Sequence, residues 1–104
     1  MGKKVFVNKA NITLEGPFTV ERAKELHLLL VERLDGMPEQ AGGGAIDLCR
    51  VVDIDACGCQ LLALFLENLK RRGAAPMLTA VPPAVRERIV TLGFGELLAL
   101  QPEP

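Results

Sequence analysis

The 104-residue sequence predicts a small α/β domain, because segments with strand and helix patterns alternate along the chain. No internal repeat or Pro/Gly-rich linker divides it. We therefore expect one domain over residues 1–104, with a core from about residue 4 to 100. The predicted element order is β-β-α-β-α-β-α, with a central mixed sheet of about four strands and three or more helices. Its two strand–helix–strand crossovers imply parallel neighbouring strands.

The amino-terminal part predicts a hairpin followed by a helix. Lys4–Asn8 alternates apolar and polar residues, and Asn11–Glu15 does so again before Gly16 and Pro17, which we expect to end the second strand. Thr19 is a residue type that caps helices. The helix predicted after it ends near Asp35, and its apolar stripe consists of Val20, Ala23, Leu26, Leu30 and Leu34.

The carboxy-terminal part predicts two more strand–helix pairs. Ala45–Cys49 is mostly apolar, as in a strand covered on both faces, and Asp53–Gly58 is predicted to be a polar turn that opens a Leu-rich helix. Lys70–Gly73 places cations and a glycine at the end of that helix. Met77–Val81 is the next predicted strand. Pro82-Pro83 then starts a third helix whose inward residues are Val85, Ile89 and Leu92.

Composition excludes several function classes. The net charge of −1 and the absence of Trp and Tyr argue against a nucleic-acid partner. The apolar run Leu61–Leu66 is too short for direct membrane insertion, and Met1–Lys4 does not begin a signal peptide. The three cysteines, Cys49, Cys57 and Cys59, are an odd number and favour a reducing compartment. We expect a cytoplasmic protein.

The segment Ile46–Gly58 resembles the signature of STAS domains, the sulfate transporter and anti-sigma factor antagonist family. Members typically have apolar-Asp-Leu-Ser, a few residues, and then apolar-Asp-Ser-Ser-Gly before an apolar helix. The resemblance continues through Leu14–Thr19, Arg71–Gly73, Pro82–Arg86 and Thr91–Phe94. It covers nearly the whole chain, and the motifs stand in the family's order.

The resemblance implies a protein-interaction module similar to the bacterial anti-sigma factor antagonists, which regulate transcription by partner switching. Their second signature Ser is phosphorylated by a kinase that is also the anti-sigma factor. Here Cys57 occupies that position, so phosphorylation of a Ser or Thr hydroxyl there is excluded. The implied site for binding and regulation consists of Asp53, Asp55, Ala56, Cys57 and Gly58.

Two partner classes and a third hypothesis remain open. The partner is an anti-sigma factor/serine kinase of the ATPase type, or else the ATPase subunit of a phospholipid-trafficking ABC transporter in which the domain is a small cytoplasmic subunit. Alternatively, Cys57 is a thiol or redox-responsive switch, since a helix N-terminus lowers a thiol's pKa. Asp53 and Asp55 would oppose that effect.

Catalysis, cofactors and metals are not expected. No His or Ser nucleophile accompanies the carboxylates, so we predict that the chain is not an enzyme. Cys57 and Cys59 are too few and too closely spaced for a zinc site. Cys59 is expected to fill the core, Cys49 to end a buried strand as an inert thiol, and His27 to lie at the surface.

Four further charged residues have predicted roles or environments. Asp47, in an otherwise apolar strand, needs a hydrogen-bond partner. Asp53 stands where the family generally has an apolar residue, and it would add negative charge beside the turn if it faces solvent. The paired arginines Arg71-Arg72 are expected to be solvated helix charges.

Overall fold

The structure, a computed structural model, describes residues 12–36 and 43–100. The described elements are β1 (Ile12–Phe18), a 3₁₀ turn (Val20–Arg22), α1 (Ala23–Asp35), β2 (Gly43–Ile54), α2 (Ala56–Arg71), β3 (Ala75–Thr79) and α3 (Pro83–Thr91). This confirms the predicted α/β class. The strand predicted at Lys4–Asn8, with its hairpin, lies outside the described residues.

The three described strands form a parallel sheet in the order β1-β2-β3. β3 pairs only with the amino-terminal part of β2, from Gly43 to Asp47, whereas the pairing with β1 reaches the end of β2. The two predicted crossovers therefore join neighbouring parallel strands, as expected. The carboxyl ends of β1 and β2 meet at one edge, where Phe18 pairs with Ile54.

β2 is much longer than the predicted strand Ala45–Cys49, because two irregularities let it continue. Thr13 pairs with Asp47, and the next pair is Glu15 with Arg50, so β2 has one more residue than β1 between these pairs. A second extra residue of β2 follows Val51. Each extra residue is a β-bulge and shifts the alternation of the strand. The buried residues of β2 are accordingly Ile46, Leu48, Val51 and Ile54.

The structure corrects the predicted end of the preceding strand. We expected Gly16 and Pro17 to stop it, but β1 continues to Phe18. Gly16 has a φ of +84°, which a glycine adopts without strain, and the second of the two register shifts falls between Gly16 and Pro17. Proline is tolerated in a strand at such a bulge.

The predicted apolar stripes of the helices are largely confirmed. α2 contacts all three strands, α1 packs beside α2, and α3 packs against β2. Val20 and Leu92, predicted to face inward, are exposed instead, because each lies outside the regular α-helix to which it was assigned. The buried helix residues belong to one apolar core and are Leu26, Leu30, Cys59, Leu62, Phe65, Leu66, Leu69, Val85 and Ile89.

The carboxyl end of α2 closes as predicted but also holds α1. Gly73, with a φ of +88°, donates to the carbonyl of Lys70, which is the expected glycine termination. Arg72, however, is not simply a solvated charge. It is half-buried, and its Nη1 donates to the carbonyl oxygen of Leu34 at 2.7 Å, so it ties the ends of the two helices together.

Candidate functional site

The candidate site lies where β2 ends and α2 begins, and we call residues Asp53–Gly58 the corner. The sequence predicted a six-residue polar turn here, and the structure corrects that prediction. Asp53 and Ile54 still belong to β2, and Ala56 already belongs to α2. Asp55 alone connects the two elements, so its backbone and side chain determine the direction in which α2 leaves the sheet.

The carboxylate of Asp55 joins the start of α2 to the start of the 3₁₀ turn that precedes α1. Its Oδ1 accepts a hydrogen bond from the backbone N–H of Gly58 at 2.9 Å and caps α2. Its Oδ2 accepts one from the backbone N–H of Val20, also at 2.9 Å, although the two residues are 35 positions apart in the chain. The N–H of Asp55 itself donates to the carbonyl oxygen of Phe18 at 3.1 Å.

These bonds keep Asp55 ionised. The hydrogen bond from Gly58 makes the largest contribution in lowering the pKa of the Asp55 carboxyl, and the bond from Val20 adds to it; partial burial opposes both. The carboxylate is therefore charged at neutral pH, where it can satisfy two backbone donors at once. This confirms the N-cap role expected for Asp55 and adds a long-range contact that the sequence did not indicate.

Gly58 permits a close backbone approach. An added Cβ on Gly58 would overlap the carbonyl oxygen of Phe18 and would lie 2.8 Å from the Phe18 carbonyl carbon. The first turn of α2 therefore rests directly on the end of β1, and only a glycine fits there. The importance of Phe18 was not apparent from the sequence, because the contact depends on how two distant strands align.

The outer surface of the corner combines an acidic group with small and apolar ones. The side chains of Asp53 and Ala56 are exposed, and Cys57 is half-buried. Asp53 Oδ1 also accepts from the N–H of Ile54 at 2.8 Å, beside the second bulge of β2. Two further apolar residues are open to solvent near this end of the sheet, Val20 at 60% and Val52 at 69% exposure.

The three cysteines lie in different environments. Cys59 is fully buried, as predicted, and burial followed by the charge of Asp55 raises the pKa of its thiol to about 11. Cys57, two residues earlier, points to a different side of α2, since such residues are about 200° apart around a helix. The two thiols are therefore not arranged as a pair of metal ligands.

Cys49 differs from its prediction. It lies within β2 and is exposed, because its neighbour Leu48 points into the core and successive strand residues face opposite sides of the sheet. The neighbouring Asp47 accepts a hydrogen bond from the backbone N–H of Cys49 at 2.8 Å, which provides the partner expected for that carboxylate. A hydrogen bond with Asp47 raises the pKa of the Cys49 thiol and so disfavours its thiolate.

Arg22 supports the corner from the side of β1. Its Nη1 donates to the carbonyl oxygen of Pro17 at 2.9 Å, while its Nε and Nη2 bind the carboxylate of Glu25 at 3.1 and 3.0 Å. A Cβ on Gly16 would lie 2.6 Å from Arg22 Nη1, so the glycine also makes room for the guanidinium. The chain between β1 and α1 is thereby fixed beside Asp55, although no sequence pattern had indicated Arg22.

Comparison with known proteins establishes the class to which this fold and site belong. The STAS domain family matches residues 6–103, nearly the entire chain. This chain belongs to the STAS domain family, which is a family of protein-interaction modules. The resemblance of the signature segment is thus confirmed. No curated protein sequence matches the chain.

Two solved structures are similar to it. A sulfate transporter family protein from Wolinella succinogenes is 26% identical, with a TM-score of 0.65 over 88% of this chain and 71% of that one. The STAS domain of a SulP transporter from Vibrio cholerae is 22% identical, with a TM-score of 0.65 over 88% of this chain and 68% of that one; this second likeness concerns the fold alone. No helix within the described ranges is long and apolar enough to cross a membrane.

Proposed function

We propose that this domain is a non-catalytic regulator that binds a cytoplasmic partner protein through the corner, in the manner of an anti-sigma factor antagonist. The observation that carries the proposal is the Asp55 carboxylate, which fixes two helix starts and leaves Asp53, Ala56 and part of Cys57 accessible. A surface held in one conformation loses little entropy on binding. The proposed partner is an anti-sigma factor and serine kinase of the ATPase type.

The chemistry at Cys57 sets this regulator apart from antagonists controlled by a phosphoserine. A thiol in place of a hydroxyl removes the usual phosphate acceptor, and the preceding Ala56 offers none. In the antagonists that a phosphoserine controls, phosphorylation acts by adding a dianion to the interface. Without it, binding at the corner depends on the partner's own state and concentration, so we propose a binder that its kinase does not switch off at this position.

Site-specific photocrosslinking tests the proposal. The full chain carries p-benzoylphenylalanine at Ala56 in one variant and at Met77 in another, and both are irradiated in the cells of origin. Ala56 and Met77 are both exposed, but Met77 pairs with the opposite end of β2. We expect Ala56, and not Met77, to form one discrete adduct whose peptides identify a kinase-type ATPase.

Other outcomes separate the alternatives. An adduct with an ABC-transporter ATPase would replace the antagonist assignment by the transporter one. Absence of any adduct at Ala56 would refute binding through the corner. If the kinase-type ATPase is found, Cys57→Ser should accept phosphate from it in the presence of ATP, whereas the original chain should not.

A second candidate function is favoured by one comparison. The chain is 26% identical to a sulfate transporter family protein, which supports a role beside a transporter. We therefore retain the role of a small cytoplasmic regulatory subunit of a transporter, with a phospholipid-trafficking ABC transporter as the specific form. A thiol switch at Cys57 is the third alternative. It predicts that mild oxidation releases the partner from the original chain and not from Cys57→Ser.

A further inference from the structure

In the described parts of the chain, a groove between α1 and α2 exposes apolar side chains, of which Val31 and Leu64 are open to solvent. Its apolar floor and walls include Leu30, Val31, Leu61 and Leu64, and a single polar residue of each helix, His27 and Asn68, completes the lining. Both helices contribute residues with the same spacing. On α1 the lining residues follow His27 by three, four and seven positions, and on α2 they follow Leu61 by the same intervals. Residues with this spacing lie on one face of a helix.

The groove has a firm frame. The starts of the two helical segments are joined because Asp55 binds the N–H of Val20, and the ends are joined because Arg72 binds the carbonyl of Leu34. Between these ties, Leu64 remains 60% exposed on the wall formed by α2. Polar contacts thus fix the two helical segments relative to each other near both ends of the groove, and its apolar residues lie between them.

The groove is also continuous with the corner. Cys57, Leu61, Leu64 and Asn68 follow one another on α2 at intervals of four, three and four residues, so they lie along one stripe of that helix. A protein that contacts the corner at Cys57 therefore meets the wall of the groove in the next turns. This stripe extends the proposed binding surface away from the sheet edge.

The dimensions favour one kind of occupant. Seven residues of helix span about 10 Å, so the groove accommodates about two turns of a helix. Eight residues line it, whereas a stable dimer interface uses about 20–30 residues on each side, so the groove is too small to hold a second copy of this chain. An extended peptide would leave its backbone N–H and C=O groups unpaired against an apolar surface, whereas a helix satisfies its own.

We propose that the groove binds an amphipathic helix of the partner protein, with apolar side chains spaced three, four and seven residues apart; this inference rests on the proposed binding at the corner. Helix-in-groove recognition of this kind uses apolar anchors on one face. The charges beside the wall on α2, Glu67 and Arg71, are of opposite sign and bind each other at 3.5 Å, so this side of the groove carries no net charge from that pair.

Photocrosslinking from Leu64, in parallel with Ala56, tests the inference. We expect both positions to capture the same protein, and the peptide joined to Leu64 to come from a helix with the stated apolar spacing. With that protein purified, Leu64→Lys should weaken binding about tenfold or more, because it places a charge in an apolar contact. Val90→Lys is the matched control, since Val90 on α3 is 57% exposed and lies outside the groove.

The outcomes distinguish the groove from the corner. An adduct at Ala56 with none at Leu64 would overturn binding in the groove and leave the proposed function standing. An adduct at Leu64 alone would overturn binding at the corner, and with it the groove as an extension of that surface. Adducts at neither position would overturn both proposals. A Leu64 adduct with a second copy of this chain, or with a non-helical segment, would contradict the proposal that the groove binds a helix of the partner protein. Equal weakening by Leu64→Lys and Val90→Lys would also contradict the groove.

Discussion

Gly58 lies directly against the backbone carbonyl of Phe18, so that the first turn of α2 touches the end of β1 with no side chain between them. The same carbonyl accepts the N–H of Asp55. Through this contact, the segment that follows β2 is positioned by β1, its neighbour in the sheet. The corner is therefore a product of both strands, and its shape depends on their register.

Replacing this glycine should be costly. Gly58→Ala forces a Cβ into the Phe18 carbonyl, and the helix must shift because the obstacle is backbone; we expect the free energy of unfolding to fall by about 1–3 kcal/mol. Urea denaturation measures it. Gly95→Ala is the control, because a Cβ there meets only Val90 at an ordinary 3.8 Å. Equal stability of the two variants would contradict the close approach.

The two hydrogen bonds accepted by Asp55 can be separated by mutation. Asp55→Asn keeps one oxygen, which suffices to cap α2, but it replaces the other acceptor with a donor and so loses the bond from Val20. We expect Asp55→Asn to lower the free energy of unfolding by about 1 kcal/mol and Asp55→Ala by about 2 kcal/mol, measured by urea denaturation. If the two variants are equally stable, the second hydrogen bond contributes nothing.

The same carboxylate makes stability depend on pH. Its pKa is lowered on folding, so its contribution is fully present above the unfolded pKa of about 3.9 and is lost as pH falls through the lower folded value. Between about pH 6 and 3, the original chain should therefore lose more stability than Asp55→Asn. Asp35→Asn, at an exposed carboxylate at the end of α1, should retain the full dependence. Identical pH profiles for all three proteins would contradict the assignment.

Arg72 and Arg71 are adjacent in sequence but should differ in their contribution to stability. Arg72→Ala removes the charged donor from the Leu34 carbonyl, and we expect a loss of about 1.5–3 kcal/mol. Arg71→Ala removes only a surface ion pair with Glu67 and should cost less than about 1 kcal/mol. Thermal and urea unfolding compare the two. Similar losses would show that the tie to α1 is not a specific stabilising contact.

Alkylation should distinguish the buried thiol from the exposed one. At about pH 8, iodoacetamide should modify Cys49 in the folded protein and leave Cys59 unmodified, because Cys59 is buried and has a thiol pKa of about 11. Peptide mass spectrometry reports each site, and unfolding in urea should expose Cys59. Asp47→Asn should accelerate the reaction at Cys49, since it removes the carboxylate that raises that pKa. Rapid labelling of Cys59 without unfolding would contradict its burial.

The sequence predicted most elements correctly where the pattern is local. The stripe of α2, its Asp55 cap and its terminal Gly73 follow from spacing and residue type within one segment, and the structure confirms them. β2 was predicted too short, because its bulges break the alternation on which strand prediction depends. The exposure of Cys49 was missed for a different reason: this strand was expected to be covered on both faces, but the face that carries Cys49 is open to solvent at that position.

Residue pattern and composition were enough to predict the α/β class, the order of the described elements and the family signature, and they show that position 57 has no hydroxyl. These depend on composition and on neighbours within a few residues. Three contacts became apparent only in the folded chain: Asp55 with Val20, Gly58 with Phe18, and Arg72 with Leu34. Each of these contacts joins segments at least 35 residues apart, and their geometry is set by strand register and helix packing, which no local pattern encodes.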